Sequence, residues 1–262
     1  MGRGEQSHYD LAVEGWASGA ELVYAPLARE LVATSPHPLD GRRILDVGAG
    51  TGVGSTALAA SGARPIAVDL SWPMLAWRSA ERPPSMVASV SALPLRDGAV
   101  DDAFASFVLN HVGEPVEVLR ELARTVRAGG AVLVSTFSTA SSSRARDRAD
   151  EVAVAEGWRV PEWYKTMKAS VIPLLGSRAA MEAAAAAAGL DQIVVDERPI
   201  DVGVERAEDL VRYRFGQAQF AEFVASLGPD GAAALHAAAA EAVEPIMEPY
   251  RPTVVFLAAL VS

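Results

Sequence analysis

The sequence predicts an α/β protein built on a seven-stranded, mostly parallel, doubly wound sheet, and three observations carry that prediction. From residue 43 onward, short apolar runs alternate with windows of helical periodicity, the pattern of parallel strands covered by helices on both faces. The first run, "RILDV" (43–47), passes through a glycine loop straight into a helical window. A last apolar run, "TVVFLAALV" (253–261), follows a long helical stretch and supplies a closing strand.

Taken in order, residues 1–40 read as a helical segment carrying Tyr9, Trp16 and Tyr24, ended by the Pro-rich loop "SPHPLDG" (35–41). Strands are expected at 43–47, 65–69, 86–89, 101–106 and 131–137. The helix expected at 115–127 has Pro115 near its start, Val116, Leu119, Leu122, Ala123 and Val126 at helical spacing, and Gly129-Gly130 after it. From 138 to 170 the alternation breaks into a Ser-rich, charged stretch with Trp158, Trp163 and Tyr164, which reads as an insertion. "MEAAAAAAG" (181–189) is a strong helix because Ala has the best propensity and Gly189 suits the cap. A strand at about 192–196 follows, then two helices within 205–248, the first with Leu210, Tyr213, Gln217, Phe220 and Val224 along one face. The chain reads as one domain: a helical N-terminal lid (1–40), a ligand-binding core (41–137), an insertion (138–178) and a C-terminal part (179–262).

Composition narrows the function. The formal charge is −10, and nucleic-acid affinity comes from clustered Lys and Arg, so nucleic acid is a poor partner. There is no Cys, and the four His residues have no paired spacing, which removes disulfides, thiolate chemistry and an obvious metal site. No apolar run approaches the length of a membrane span, and no charged-then-apolar leader pattern opens the chain. The expectation is a soluble, cytoplasmic protein, monomer or homodimer, acting on a small molecule.

The loop "GAGTGVGS" (48–55) decides the ligand. Gly48, Ala49 and Gly50 offer bare backbone, and the helix after them offers unpaired N–H groups. A dinucleotide fingerprint requires GxGxxG, but Val53 stands where the third Gly belongs, and Asp46 would place negative charge near a pyrophosphate. A cationic ligand gains from that carboxylate instead. Asp69 ends the second strand, 19 residues after Gly50, where it can accept hydrogen bonds from a ribose diol. A nucleoside with positive charge and no phosphate fits, and S-adenosyl-L-methionine (SAM) is such a molecule.

The residues "LDVGAGTG" (45–52), "AVDLSWPML" (67–75), "SVSALPLRDGAVDDAFASFVLNHV" (89–112) and "LRELARTVRAGGAVLVSTF" (119–137) resemble class I SAM-dependent methyltransferases, in particular the methyltransferase type 11 group of small-molecule enzymes. The resemblance covers roughly 43–137 and implies a Rossmann-like, class I methyltransferase fold. It implies that Gly48, Ala49 and Gly50 lie under the methionine moiety and that Asp46 holds its amino group. Asp69 would take the ribose diol, and Leu70 and Met74 would pack on the adenine. Ser89 stands where the family commonly has an Asp that accepts the adenine amine, so that contact would lack charge. Val90 and Ser106 complete the implied cofactor set, and S-adenosyl-L-homocysteine would be the product.

Asn110-His111 falls near the reactive end, so His111 is the first candidate base and Tyr9 the second. A His there can equally cap a helix or pack under the cofactor. Tyr9, Trp16 and Tyr24 read either as core staples or as lid, and His8 as a surface residue. Trp158, Trp163 and Tyr164 are candidates for the acceptor pocket, since insertions after the fifth strand sit above the carboxyl edge. The lid composition suggests a mostly apolar acceptor, such as a secondary metabolite. The same motifs also serve methyltransferase-fold proteins turned to non-methylating chemistry such as cyclisation, or to ligand binding alone.

Overall fold

The structure, a computed structural model, describes residues 8–262; the first seven residues of the expected N-terminal helical segment lie outside the described residues. Seven strands form one sheet in the order β3-β2-β1-β4-β5-β7-β6. They are β1 Arg43–Val47, β2 Arg64–Asp69, β3 Ser85–Val87, β4 Asp102–Ser106, β5 Ala131–Phe137, β6 Asp191–Pro199 and β7 Thr253–Leu260. β1 pairs in parallel with β2 and β4, which brings Asp46 level with Ala67 and Phe104. β7 inserts antiparallel between β5 and β6, with Leu133 opposite Ala258 and Val195 opposite Leu257.

Side-chain alternation along the strands divides the core in two. Ile44, Phe104, Leu133 and Phe256 face one layer with Leu27 and Leu31 of the helix Glu21–Ala33. Leu45, Ala103, Val132 and Leu257 face the other, with Leu119 and Leu122 of the helix Pro115–Thr125. Both faces are covered, so β5 and β7 are apolar almost throughout.

Several expectations are corrected in detail. The helix starting at Pro115 ends at Thr125 rather than 127, because Val126 turns extended and bridges to Val100. The third strand ends at Val87, and the sixth runs from Asp191 to Pro199, longer than its sequence window. The segment 205–248 holds three helices, Ala207–Phe215, Ala218–Ser226 and Gly228–Val243, not two. The expected continuous face from Leu210 to Val224 breaks at Gly216-Gln217. A Cβ on Gly216 would collide with the carbonyl oxygen of Gly15, and one on Gly19 with that of Arg212. The N-terminal segment therefore lies backbone against backbone on the helix Ala207–Phe215.

The insertion contains a helix, Arg144–Ala155, capped by the Ser143 hydroxyl and packed by Ala145, Ala149 and Ala153 at four-residue spacing. Arg214 locks it in place with a bidentate pair to Asp150 at 2.6 and 2.7 Å. Trp158 does not line the cleft at the carboxyl ends of the strands: it is buried, stacked on Phe220 at 4.1 Å, donates its indole N–H to the Gln219 carbonyl, and borders a separate groove. Among the described residues no helix is long and apolar enough to cross a membrane.

Candidate active site

A cleft of about 1120 Å³, counting its open mouth, lies at the carboxyl ends of β1, β2 and β4. It forms where strand order reverses, between β1 and β4, and there the crevice of a doubly wound sheet opens. Asp46, Gly48, Ala49, Gly50, Asp69, Leu70, Met74, Ser89, Val90 and Ser106 all line it, as do His111 and Tyr9. The structure thus brings the ten implied cofactor positions and the two candidate bases into one space, while Trp158, Trp163 and Tyr164 do not line it.

The polar side is set by backbone geometry. Gly48 and Gly50 have φ of +66° and +49°, and Gly52, at +106°, starts the helix Val53–Ala60. A Cβ on Gly48 would run into Val108. Asp46 is buried and accepts from Ser55 Oγ at 2.6 Å, and Gly54 makes room for it, since a Cβ there would stand 2.6 Å from Asp46 Oδ1. Burial drives the Asp46 carboxyl up to about 6, opposed by the Ser55 hydrogen bond and the charge of Arg82. Burial also raises Asp69, against backbone N–H donors; those of Gly50 and Ser71 lie 2.8 Å from its two oxygens.

The other side is aromatic. Trp16 stacks on Tyr24 with centroids 4.9 Å apart, and Tyr24 meets Phe107 edge-on at 5.2 Å. Phe107 leaves β4 with φ of +57°, a conformation a bulky residue adopts only when its surroundings enforce it. Tyr9 hangs over His111, its hydroxyl 3.1 Å from Nδ1 and 3.3 Å from Nε2. Asn110 Nδ2 lies 3.3 Å from Nε2; with that amide donating, the ring proton sits on Nδ1 and is given to the Tyr9 oxygen. Burial holds the His111 imidazole down to about 4, so it is neutral at neutral pH.

Sequence reasoning missed four contributors. Ser71 caps the turn after Asp69 and accepts from Met74 N, while its hydroxyl donates to Asp10 at 2.5 Å. That bond ties the N-terminal segment to the turn after β2. Ser55 and Gly54 were legible only as part of the glycine loop, and Arg82, from the β2–β3 connection, donates to the Gly50 carbonyl at 3.0 Å. Trp163 and His8 stack on each other at 5.0 Å and belong to a separate groove, not the cleft.

Fold and cleft together define a class: this is the fold of the class I SAM-dependent methyltransferases. The family model described as a methyltransferase domain matches residues 45–134, the span from β1 to β5 that supplies the carboxylate-and-glycine side of the cleft. The chain is 34% identical over 140 residues to a demethylmenaquinone methyltransferase of Mycolicibacterium paratuberculosis, covering 53% of this chain and 59% of that one. A second such enzyme, from Mycolicibacterium gilvum, is 36% identical over 136 residues, covering 52% and 58%. The chain thus spans less than two thirds of the length of these curated relatives. Among solved structures, Haemonchus contortus phosphoethanolamine N-methyltransferase 2 in complex with S-adenosyl-L-methionine is similar with a TM-score of 0.57 at 18% identity, covering 89% of this chain and 52% of that one. The (4+2) cyclase SpnF is similar with a TM-score of 0.54 at 21% identity, covering 90% and 80%.

Proposed function

We propose that the protein transfers a methyl group from SAM to a flat, mostly apolar small molecule of the kind met in secondary metabolism. The observation that carries this reading is the division of one cleft into a carboxylate-and-glycine side and an aromatic side that meet near His111.

The residues present fit the cofactor. Asp46 is a buried acid whose carboxyl lies in the cleft wall, suited to an ammonium group, and an incoming cation favours its ionised form. The loop from Gly48 to Gly50 gives a wall without side-chain bulk. Asp69 keeps lone pairs for a ribose diol beside the two backbone donors it already accepts. Leu70, Met74, Ala88 and Val90 supply apolar surface for a base, and Ser89 a neutral hydrogen-bonding group. When bound, SAM supplies an electrophilic methyl group on a sulfonium.

On the acceptor side, Trp16, Tyr24 and Phe107 favour a planar ring by stacking and edge contacts. The wall orients the acceptor and excludes water, which is the larger share of what in-line displacement requires. His111, neutral at neutral pH, keeps Nε2 as the ring atom that can accept a proton from a phenol-like acceptor, while its Nδ1–H holds the Tyr9 oxygen. With an ordinary base strength pressed so low, its service is to take the hydrogen bond as charge develops rather than to deprotonate the acceptor beforehand.

Calorimetric titration with SAM, S-adenosyl-L-homocysteine and NAD, beside an Asp69→Ala variant, tests the cofactor. Micromolar binding of the first two, lost in the variant and absent for NAD, is expected. Transfer of labelled methyl from SAM to a panel of phenolic and quinol acceptors then tests the reaction. Failure of SAM to bind would overturn the reading, and acceptor turnover without release of S-adenosyl-L-homocysteine would replace it by a non-methylating one.

A further inference from the structure

The Arg82 guanidinium lies against the glycine loop and has no part in the reaction as proposed. Pro83 follows it, and Arg82 has the extended backbone (φ −87°, ψ 146°) expected before proline; from there its side chain crosses the loop. Nη2 donates to the Gly50 carbonyl at 3.0 Å. Nη1 fills the space a Cβ on Gly52 would need, so glycine at 52 serves the arginine as well as its own left-handed φ. Nε and Nη1 are buried and make no hydrogen bond. Unspent buried donors on a cation are costly, and burial lowers the guanidinium's own pKa. Carboxylates offset that cost: the charges of Asp46, Asp69 and Glu21 all favour the protonated arginine.

Resting on the SAM reading above, we infer that Arg82 is a positioning residue for the cofactor, holding the glycine loop through Gly50 and placing a positive charge beside Asp46 and Asp69. Gly50 is gripped at both ends, its N–H by Asp69 at 2.8 Å and its carbonyl by Arg82. The ribose-facing acid, the loop and the guanidinium therefore move as one unit. Asp46 is faced by the Ser55 hydroxyl, by Asp69 across the sheet and by Arg82. Asp69 is faced by the N–H groups of Gly50, Leu70 and Ser71 and by Arg82. Arg82 is faced by those two acids and by Glu21, whose carboxyl also feels Arg78. Without Arg82, two buried carboxyls would repel each other with less to restrain their protonation.

The test is a carboxyl-carbon NMR titration of the ligand-free protein, wild type against Arg82→Met, Arg82→Gln and Arg82→Lys, with thermal melting to confirm folding. Loss of the charge in the Met and Gln variants is expected to move the Asp46 midpoint up by about half a pH unit or more, whereas Lys leaves it in place. Calorimetry at pH 7 should show SAM affinity weaker in Met and Gln by more than the roughly 1.2-fold that a half-unit rise of Asp46 alone gives, with Lys closer to wild type. An unchanged midpoint in folded Arg82→Met, or equal loss of affinity in all three variants at every pH, would overturn the inference. Should the wild type bind no SAM, the cofactor reading fails by itself, and the ligand-free titration still decides the role of Arg82.

Discussion

The Tyr9 hydroxyl lies 3.1 Å from His111 Nδ1, a contact between residues 102 apart in sequence. It joins the N-terminal segment to the loop after β4, at the border of the polar and aromatic sides of the cleft. If the pair takes up charge during transfer, Tyr9→Phe and His111→Asn should each lower kcat, by about 10- to 100-fold, with the SAM Kd unchanged. Steady-state kinetics with SAM calorimetry on the same samples checks this. A variant that loses SAM affinity and kcat together would place the residue among the cofactor contacts instead.

Asp46→Asn should separate stability from function. The wild-type carboxyl is raised from 3.8 to about 6 by burial, so its ionised form costs the ligand-free fold about 3 kcal/mol at neutral pH. Asparagine keeps an oxygen for the Ser55 hydroxyl without the charge. The variant is expected to melt higher than wild type, by about 1–3 kcal/mol in unfolding free energy, while SAM binding disappears. Denaturant titration at pH 7 reads the first effect and calorimetry the second.

His111 gives the pH dependence the opposite sign. Its folded value of about 4 lies below the ordinary imidazole value of 6.5, so the unfolded chain binds the proton first as pH falls. Stability is therefore fully present above pH 6.5 and is lost progressively down to about 4, by about 3 kcal/mol in total. Asp46 works the other way over part of that range, so the informative comparison is wild type against His111→Asn, with Asp46 common to both. Unfolding free energies at pH 7, 6, 5 and 4.5 should show a wild-type advantage that shrinks with acid.

Gly19→Ala should be costly although Ala is the better helix former. The added Cβ would collide with the Arg212 carbonyl oxygen, and backbone cannot swing aside as a side chain can. The penalty expected for such overpacking, about 1–3 kcal/mol, exceeds the gain in propensity of about 1 kcal/mol. Thermal melting decides it. Trp158→Ala, equally far from the chemistry, should cost about 3–5 kcal/mol and leave the SAM Kd within twofold.

The sheet and the carboxylate-and-glycine side of the cleft were legible because each is written locally. Alternation of strand and helix gave the seven strands, and the spacing of Asp46, the glycines and Asp69 placed an acid at the end of each of two adjacent strands. What could not be read is what depends on approach between distant segments. Gly15 and Gly216 are ordinary glycines until the N-terminal segment is seen to lie on the helix Ala207–Phe215. That same seam explains why one expected helical face became two helices. Trp158 looked like a ligand-binding aromatic, but a Trp whose indole N–H finds the Gln219 carbonyl is fully satisfied in the core. Arg82 carried no motif, and its meaning comes only from the carbonyl and the carboxylates it faces.

The burial of Asp46 has a calorimetric consequence. At pH 6 its carboxyl carries about half a proton, since its midpoint lies at about 6. A cation arriving beside it must expel that proton into the solvent. Cofactor binding is then also an acid release: at pH 6 the observed heat should differ between buffers of unlike ionisation enthalpy, and at pH 8 that difference should vanish. With Asp46 holding the cofactor's ammonium as proposed, loading of the site should thereby be coupled to the acidity of the surrounding solution through one carboxyl group.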